Sequence, residues 1–487
     1  VSSASAAALP PRLIMFISFA LMSAINYAFG LTAGWLLAPG DFGLLAFTQT
    51  LLTIGGLVLN SGFAWSLTAN IVGADRDERA RLVRGAALAN LLLALAMSGA
   101  ILVLFMAGPL RAGLETWRMA ALVIAAFPLL SLVTIARATA QGSENFAMVA
   151  ALFVVETAVK AGAGLGLVLA GFGAVGAIAG FLAGGLCAGA LGLLYLVRRL
   201  AIRPWGAVAR PGFRSAGAIF AALLGMALLL NLDTIGMKLF LPGDRAAVGR
   251  YQAGIVLANT PYYLLTAMVP IFFTEVARLK QIGRSAPFVG EILRLAFLVL
   301  LPIEALLAAF PALFLHMLFP AAYLAGADTL RILAIANAAI ILVAIFSTAF
   351  QASGQAIVSG RVLLSITACE AVVLRFIVPG RHGIGAASTF LSATCLALIV
   401  LAITYYRRLE SRSLRRVLIW LSRYAIAILA GSVIGLAVLR LGNRGLLAAV
   451  LGGAGYAAAV FALRLVSLPD LLGRTAAARP ATVGAEE

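Results

Sequence analysis

The chain is 487 residues long, 63% hydrophobic and 11% charged, with a mean hydropathy of +1.07. Ordinary soluble domains are roughly 45–50% apolar and about 25% charged, so water is not its main solvent. Lys and Arg number 36 against 18 Asp and Glu, a net charge of +18, but the bases lie in short clusters between apolar runs, without a long basic face or interleaved aromatics. That pattern argues against nucleic acid and for the anionic surface of a lipid bilayer and an anionic lipid cargo.

A hydrocarbon core about 30 Å thick takes roughly 20 apolar residues to cross as a helix. The opening VSSASAAALPPR carries one base and runs into about 25 apolar residues, longer than the roughly 7–15 of a signal-peptide core, so it reads as a retained first span. Charge-poor runs predict spans at 13–37, 43–71, 85–108, 119–136, 146–170, 172–197 and 215–240. A second series follows at 251–277, 287–315, 332–351, 361–379, 383–406, 417–439 and 445–467, about fourteen in all. Gly180 to Gly184 and Gly431 to Gly435 have the spacing that lets helix backbones approach closely in lipid.

A correct division must make basic and non-basic loops alternate. The side shared by both termini holds 22 bases, including clusters at Arg76 to Arg84, Arg198 to Arg214 and Arg407 to Arg416; the opposite side holds 8, and six lie within spans. Both termini are therefore expected in the cytoplasm. The longest external loop, near 316–331, has about 16 residues, too short for an external catalytic domain.

An internal repeat is visible. NYAFGLTAGWLLAPGDFGLLA from Asn26 and NLDTIGMKLFLPGDRAAVGRYQA from Asn231 each place an Asn in an apolar run, then PGD, then a glycine opening another run, with the PGD elements 203 residues apart. Gly171, Gly176, Ala177 and Phe181 recur at an offset of 209 in GRHGIGAASTFLSA from Gly380. Each PGD also suits a tight turn whose Asp caps the next helix. The offsets predict two six-helix halves, residues 1–200 and 201–410, with 411–487 supplying two further spans and a cytoplasmic tail. Repeats enclosing a midplane site are the usual build of alternating-access transporters.

Other chemistries find little support. Cys187, Cys369 and Cys395 lie in apolar stretches without CxxC pairing, and the only histidines, His316 and His382, are far apart, so neither a zinc site, a disulfide framework nor histidine-based catalysis is expected. GFGAVG from Gly171 fits GxGxxG but lies between two apolar spans with no strand before it, and no GxxxxGK[ST] loop occurs.

LLAPGDFGLLAFTQTLLTIGGLVLNSGF, ATAQGSENFAMVAALFVVETAVKAGAGLGLVLAGFGAVGA and NLDTIGMKLFLPGDRAAVGRYQAGIVLANTPYY resemble the polysaccharide-transporter branch of the MOP flippase superfamily, the Wzx-like O-antigen flippases. The resemblance implies an all-α, MATE-like fold of two six-helix lobes around a hydrophilic cavity in the bacterial inner membrane. It implies a cargo of undecaprenyl-pyrophosphate-linked oligosaccharide, an O-antigen or exopolysaccharide repeat unit, with a polysaccharide polymerase and glycosyltransferases as functional partners. No cofactor is implied beyond H+ or Na+ coupling. MATE-type antiporters usually have twelve spans and an acid in the first, where this chain offers Asn26 and Tyr27. Lipid II flippases share fourteen spans but look richer in Arg around the first. A membrane polymerase or ligase would need a catalytic external loop.

Charge inside a bilayer normally faces a cavity or a partner. Glu156 and Lys160 in the fifth span are one helical turn apart, and Glu370 and Arg375 in its repeat partner are five apart. Each pair either neutralises itself between helices, with Arg375 snorkelling outward, or turns Lys160 and Arg375 toward pyrophosphate while Glu156 or Glu370 couples ion binding to transport. Glu304 in the ninth span cannot pair locally with Arg294 and is a third coupling candidate. If the first, second, seventh and eighth spans line the cavity as in the resembled family, Asn26, Gln49, Asn60, Asn231, Asp233, Lys238, Gln252, Asn259 and Tyr262 are candidate cargo contacts. Interhelical hydrogen bonds are the alternative use of the same groups. Pro261 and Pro270 permit bending.

Overall fold

Helix α1 (Pro11–Leu36) ends where Pro39 takes the first position of α2 (Pro39–Leu59), a place where a missing N–H costs nothing. Asp41 therefore falls in the first turn of α2, favourable to the helix dipole, and is not the capping residue the PGD reading anticipated; in the second repeat Asp244 does cap, accepting from Ala247 N at 2.9 Å. The structure, a computed structural model, describes residues 11–199, 206–209, 217–241, 243–280, 285–409, 414–442 and 445–463. Pro242, the tails, and Arg203, Arg210, Arg214, Arg284, Arg412, Arg444, Arg474 and Arg479 of the loop-charge pattern lie outside these residues.

The chain continues through α3 (Trp65–Asn70), α4 (Arg76–Met106), a single turn α5 (Arg111–Leu114), α6 (Trp117–Gly142), α7 (Phe146–Leu167) and α8 (Gly173–Leu194). Then come α9 (Gly217–Leu229), α10 (Leu232–Phe240), α11 (Arg245–Ala258), α12 (Thr260–Lys280), α13 (Ser285–Leu295), α14 (Leu301–Ala309) and α15 (Pro311–Leu318). The last are α16 (Ala327–Ala352), α17 (Ala356–Arg408), α18 (Leu414–Gly442) and α19 (Gly445–Ala462). Side-chain caps start several of them: Asp75 for α4, Thr116 for α6 and Asn145 for α7.

Among the described residues nine helices are long and apolar enough to cross a membrane, ten if α9 and α10, bent by 47°, form one span. Two of the nine are continuous stretches of 53 residues, about 80 Å at 1.5 Å per residue and far longer than a bilayer core. Each folds back at a non-helical residue, the first around Gly171 and Gly173, the second at His382. This is a multi-pass, all-α membrane protein.

The repeat seen in the sequence extends to backbone geometry. Gly173 (φ 55°, ψ −142°) and His382 (φ 51°, ψ −136°), 209 positions apart, share a conformation reserved almost entirely for glycine. The turns after α6 and α16 match at an offset of 210. Glu144 N donates to Gln141 O at 3.0 Å and Gly354 N to Gln351 O at 3.1 Å, while Asn145 N and Gln355 N each reach back to the carbonyl five residues earlier at 2.8 Å. Glu144 and Gly354 both take positive φ.

Small residues set the helix contacts, as expected. A Cβ on Gly184 would stand 2.5 Å from the Glu156 carbonyl across the α7–α8 contact, and one on Gly431 2.7 Å from the Gly452 carbonyl across α18–α19. α2, α6 and α16 are the most deeply packed spans, whereas α1, α4 and α19 turn most of their apolar surface outward. α19 is tied to the break between α13 and α14 by the Tyr456 hydroxyl, which donates to Phe297 O at 2.8 Å. One end of the bundle, the PGD end, carries Pro39 to Asp41 and, close by, Gly243, Asp244 and Arg245. The other carries Arg76 to Arg84, Arg278, Lys280, Arg407 and Arg408 and is called the arginine-rich end.

Candidate functional site

A helix interrupted at membrane depth frees backbone groups, which is tolerated only inside protein or beside a wet cavity. Three breaks lie between the halves, and each carries an asparagine. Asn60 opens a π-type turn between α2 and α3 in which Gly62 leaves helical geometry (φ −88°, ψ −110°). Asn231 sits at the bend between α9 and α10, its amide returning to Ala227 O at 2.8 Å. Asn259 closes α11 just before the Thr260-Pro261 start of α12.

All three asparagines face a chain of cavities. A compartment of about 210 Å³ is lined by Gln49, Thr50, Asn231, Gln252, Asn259 and Tyr262. A smaller one of about 50 Å³ adds Asn26 and shares Gln49 and Gln252. Toward the arginine-rich end a third, of about 540 Å³, is lined from the first half by Asn60, Trp65, Arg137 and Gln141 and from the second by Tyr262 and Gln351. Gln141 and Gln351 are the equivalent residues of the two matched turns. Beside these lies an apolar groove of about 540 Å³ between α1 and α12–α13, with Phe16, Leu264, Met268, Leu295 and Val299 on its walls. Tyr27 and Tyr263 line both the groove and the small polar compartment.

The PGD end is shut. α2 and α11 cross so closely that a Cβ on Gly43 would stand 2.8 Å from Gly249 N. Tyr323 donates to Leu37 O at 3.0 Å and the Trp35 indole to Leu318 O at 2.8 Å, over a cluster of Phe42, Phe319 and Tyr323 rings. A four-charge cluster seals the seam: Glu115 meets Lys238 and Arg245 at 2.5 Å each, and Asp41 lies 3.7 Å from Arg245. Lys238, only 2% exposed, needs such an anion, because removing one partner of a buried pair costs about 3–5 kcal/mol.

Of the residues singled out in the sequence, Asn26, Gln49, Asn60, Asn231, Gln252, Asn259 and Tyr262 come together on these cavities. Lys160 reaches the same region indirectly, its ammonium held by the Asn26 side-chain oxygen and lying 4.8 Å from the Phe181 ring. The local Glu156–Lys160 pair does not form: Glu156 is bound instead by Arg137 from α6, whose guanidinium also lies 4.0 Å over the Phe153 ring. Glu370 and Arg375 do not pair either. Five residues is a rotation of about 140° on a helix, so Glu370 points inward, 2% exposed, while Arg375 is exposed on the outside, over the Phe240 ring.

Lys238 is committed to Glu115. Asp233 is buried behind the cavity wall, accepting from Tyr251 OH and Thr234 N at 2.6 Å each. Glu370 lies near enough to Asp233 for the two carboxyl groups to interact electrostatically. Neither carboxylate oxygen of Glu370 or of Glu304, 1% exposed, has a hydrogen-bond partner among the described residues. Sequence reading missed Arg137, Gln141, Gln351 and Glu115. The predicted span ends at 136 and so leaves Arg137 outside it, whereas α6 runs to Gly142; the Gln141–Gln351 match at an offset of 210 is the signal the sequence offers.

The fold is similar to those of several solved membrane transporters. It is similar to the inward closed conformation of the lipid II flippase MurJ (TM-score 0.72, 11% identity, covering 94% of this chain and 100% of that one). It is similar also to an inward-facing multidrug resistance MATE transporter of the MOP superfamily (TM-score 0.61, 14% identity, 82% and 99%) and to an outward-facing one (TM-score 0.53, 14% identity, 82% and 96%). No curated protein sequence matches the chain. Residues 35–328 match the polysaccharide biosynthesis protein family, and the chain belongs to that family.

Proposed function

We propose that the protein is a flippase that carries an undecaprenyl-pyrophosphate-linked oligosaccharide, an O-antigen or exopolysaccharide repeat unit, across the bacterial inner membrane by alternating access. In this reading residues 1–200 and 201–410 are the two moving lobes, 411–487 is an appended pair of spans with a tail, and the arginine-rich end with both termini faces the cytoplasm. One observation carries the proposal: compartments that present amide and hydroxyl side chains between the repeat-related halves adjoin, through Tyr27 and Tyr263, an almost wholly apolar groove on the flank of the bundle. A cargo with a polar head and a long hydrocarbon tail needs both at once, and a small soluble drug does not. The likeness to a lipid II flippase supports the same chemical class of cargo.

Arg137 is the cation of the large compartment and contacts the cargo phosphates, with Lys160 assisting through Asn26. The amides at the helix breaks contact sugar hydroxyls. Glu370, beside Asp233, takes up the coupling H+ or Na+. Glu156 serves Arg137 as its counter-ion, and Glu304 stands as a second carboxyl available for coupling. A polymerase and glycosyltransferases act on the two faces of the membrane before and after this step.

Depletion of the protein in its host tests the reading. The lipid-linked oligosaccharide should accumulate, protected in intact spheroplasts from an externally added glycosidase. An unchanged pool of that intermediate would overturn the proposal.

A further inference from the structure

Two cations of the second half, Lys238 from α10 and Arg245 from α11, bracket one carboxylate of the first half. Lys238 Nζ is 2.5 Å from Glu115 Oε1 and Arg245 Nη2 is 2.5 Å from Glu115 Oε2. Asp41 adds a longer contact to Arg245 at 3.7 Å. This is how two donors hold the two oxygens of a phosphate, with an ammonium and a guanidinium on either side. The bracketed anion is carried on a residue held at φ 61°, ψ −45°, just after the four-residue helix α5. Lys238 is buried and Arg245 half-exposed, so the pair forms a site with one closed wall and one side open at the PGD end.

Opening the PGD end must draw α2 and the α5–α6 turn away from α10 and α11, because the two repeats meet across that seam. Glu115 then leaves with the first half, and the buried ammonium of Lys238 requires another anion. We propose that Lys238 and Arg245 form a phosphate-binding site at the exit, occupied by the Glu115 carboxylate while this end is closed and by a phosphate group when it opens. Resting on the flippase reading, the occupant in transport is the diphosphate of the cargo; the chemistry recognised is a diphosphate anion, lipid-borne or free.

The proposal makes Glu115 a competitor of phosphate, so removing its charge should increase binding, an outcome that misfolding cannot imitate. Binding of inorganic diphosphate and of farnesyl diphosphate to the purified full-length chain in a phosphate-free maltoside detergent is measured by titration calorimetry. Glu115→Gln should bind diphosphate about tenfold more tightly than the wild type, the scale of one charge-assisted hydrogen bond, and the gain should vanish in Glu115→Gln combined with Lys238→Gln. An equal or larger gain for farnesyl diphosphate assigns the site to a lipid-borne group; a gain for the inorganic ion alone assigns it to free phosphate. If Glu115→Gln does not assemble, Glu115→Asp, with a shorter reach, should give a smaller gain in the same direction. No gain for either ligand, or a gain that survives loss of Lys238, overturns the site. No sugar enters the assay, so a negative result leaves the flippase reading standing, and a failed depletion experiment leaves this one standing.

Discussion

Replacing His382 by glycine should stabilise the protein. His382 is held at φ 51°, ψ −136°, where its repeat counterpart Gly173 takes φ 55°, ψ −142°. A side chain in this region costs about 1–3 kcal/mol, while glycine loses about 0.5–1 kcal/mol through the greater freedom of its unfolded chain. The imidazole lies 4.0 Å from Asp244 with more than half its surface exposed, a contact that contributes little. The balance favours His382→Gly by about 1 kcal/mol. Since 1.4 kcal/mol is a factor of about ten, the half-life of the solubilised protein near its denaturation temperature should lengthen several-fold. His382→Ala is the control, because it removes the imidazole and keeps the Cβ, and it should be no more stable than the wild type. Equal denaturation rates for the glycine and alanine variants would refute the strain and, with it, the energetic equivalence of the two turns.

At the seam between α2 and α11, the Pro39 backbone lies directly against Gly249. Gly249→Ala overpacks that contact at about 1–3 kcal/mol, a shift of about 5- to 150-fold toward the open PGD end. A cysteine placed at Thr234, in a chain cleared of its native cysteines, should then react faster with an impermeant maleimide added outside, and unchanged reactivity would remove the crossing from the gate. The double change Arg137→Gln with Glu156→Gln keeps shape while deleting both charges of a part-buried pair. It should preserve membrane levels and lower transport at least about tenfold; full transport would exclude Arg137 as a cargo contact. Glu370→Gln should leave thermal stability intact, because neither oxygen has a partner among the described residues, yet make transport indifferent to an imposed proton or sodium gradient. A dependence like that of the wild type would clear Glu370 of coupling.

The spans were legible because hydropathy is a property of the chain read one residue at a time, and a polar residue in a long apolar run announces itself. Asn60, Asn231 and Asn259 stood out in this way, and each proves to sit at a helix break on the same set of cavities. Partner choice was not legible. Glu156 and Lys160 have the spacing of a local pair, but a helical neighbour competes with whatever the facing helices offer, and Arg137 and Asn26 lie across the contacts. Lys238 in isolation looks like a cavity cation, and only tertiary structure brings Glu115 from 123 residues away to bind it. Glu370 and Arg375 could have been separated in advance, since five residues on a helix point to nearly opposite faces.

The repeat explains the architecture, and the departures from it locate the chemistry. Where the turns agree, as at 141–145 and 351–355, the two halves share hydrogen bonds and even the cavity-lining glutamines. Where they differ, charge is distributed unequally. In the first half Glu156 and Lys160 have partners from facing helices beside the cavities, which hold them in fixed positions. The second half buries Asp233, Glu304 and Glu370, the latter two without hydrogen-bond partners among the described residues. An unpaired carboxylate in hydrocarbon is costly unless it takes a proton or a cation. On the proposed reading this asymmetry assigns phosphate recognition in the large compartment to the first half and coupling to the second. Both meet at the PGD end, where Glu115 of one half neutralises Lys238 of the other. Any ion taken up near Asp233 acts on α10, the helix that carries Lys238 one turn and a half further along, which links the coupling carboxyls to the seam through a single short helix.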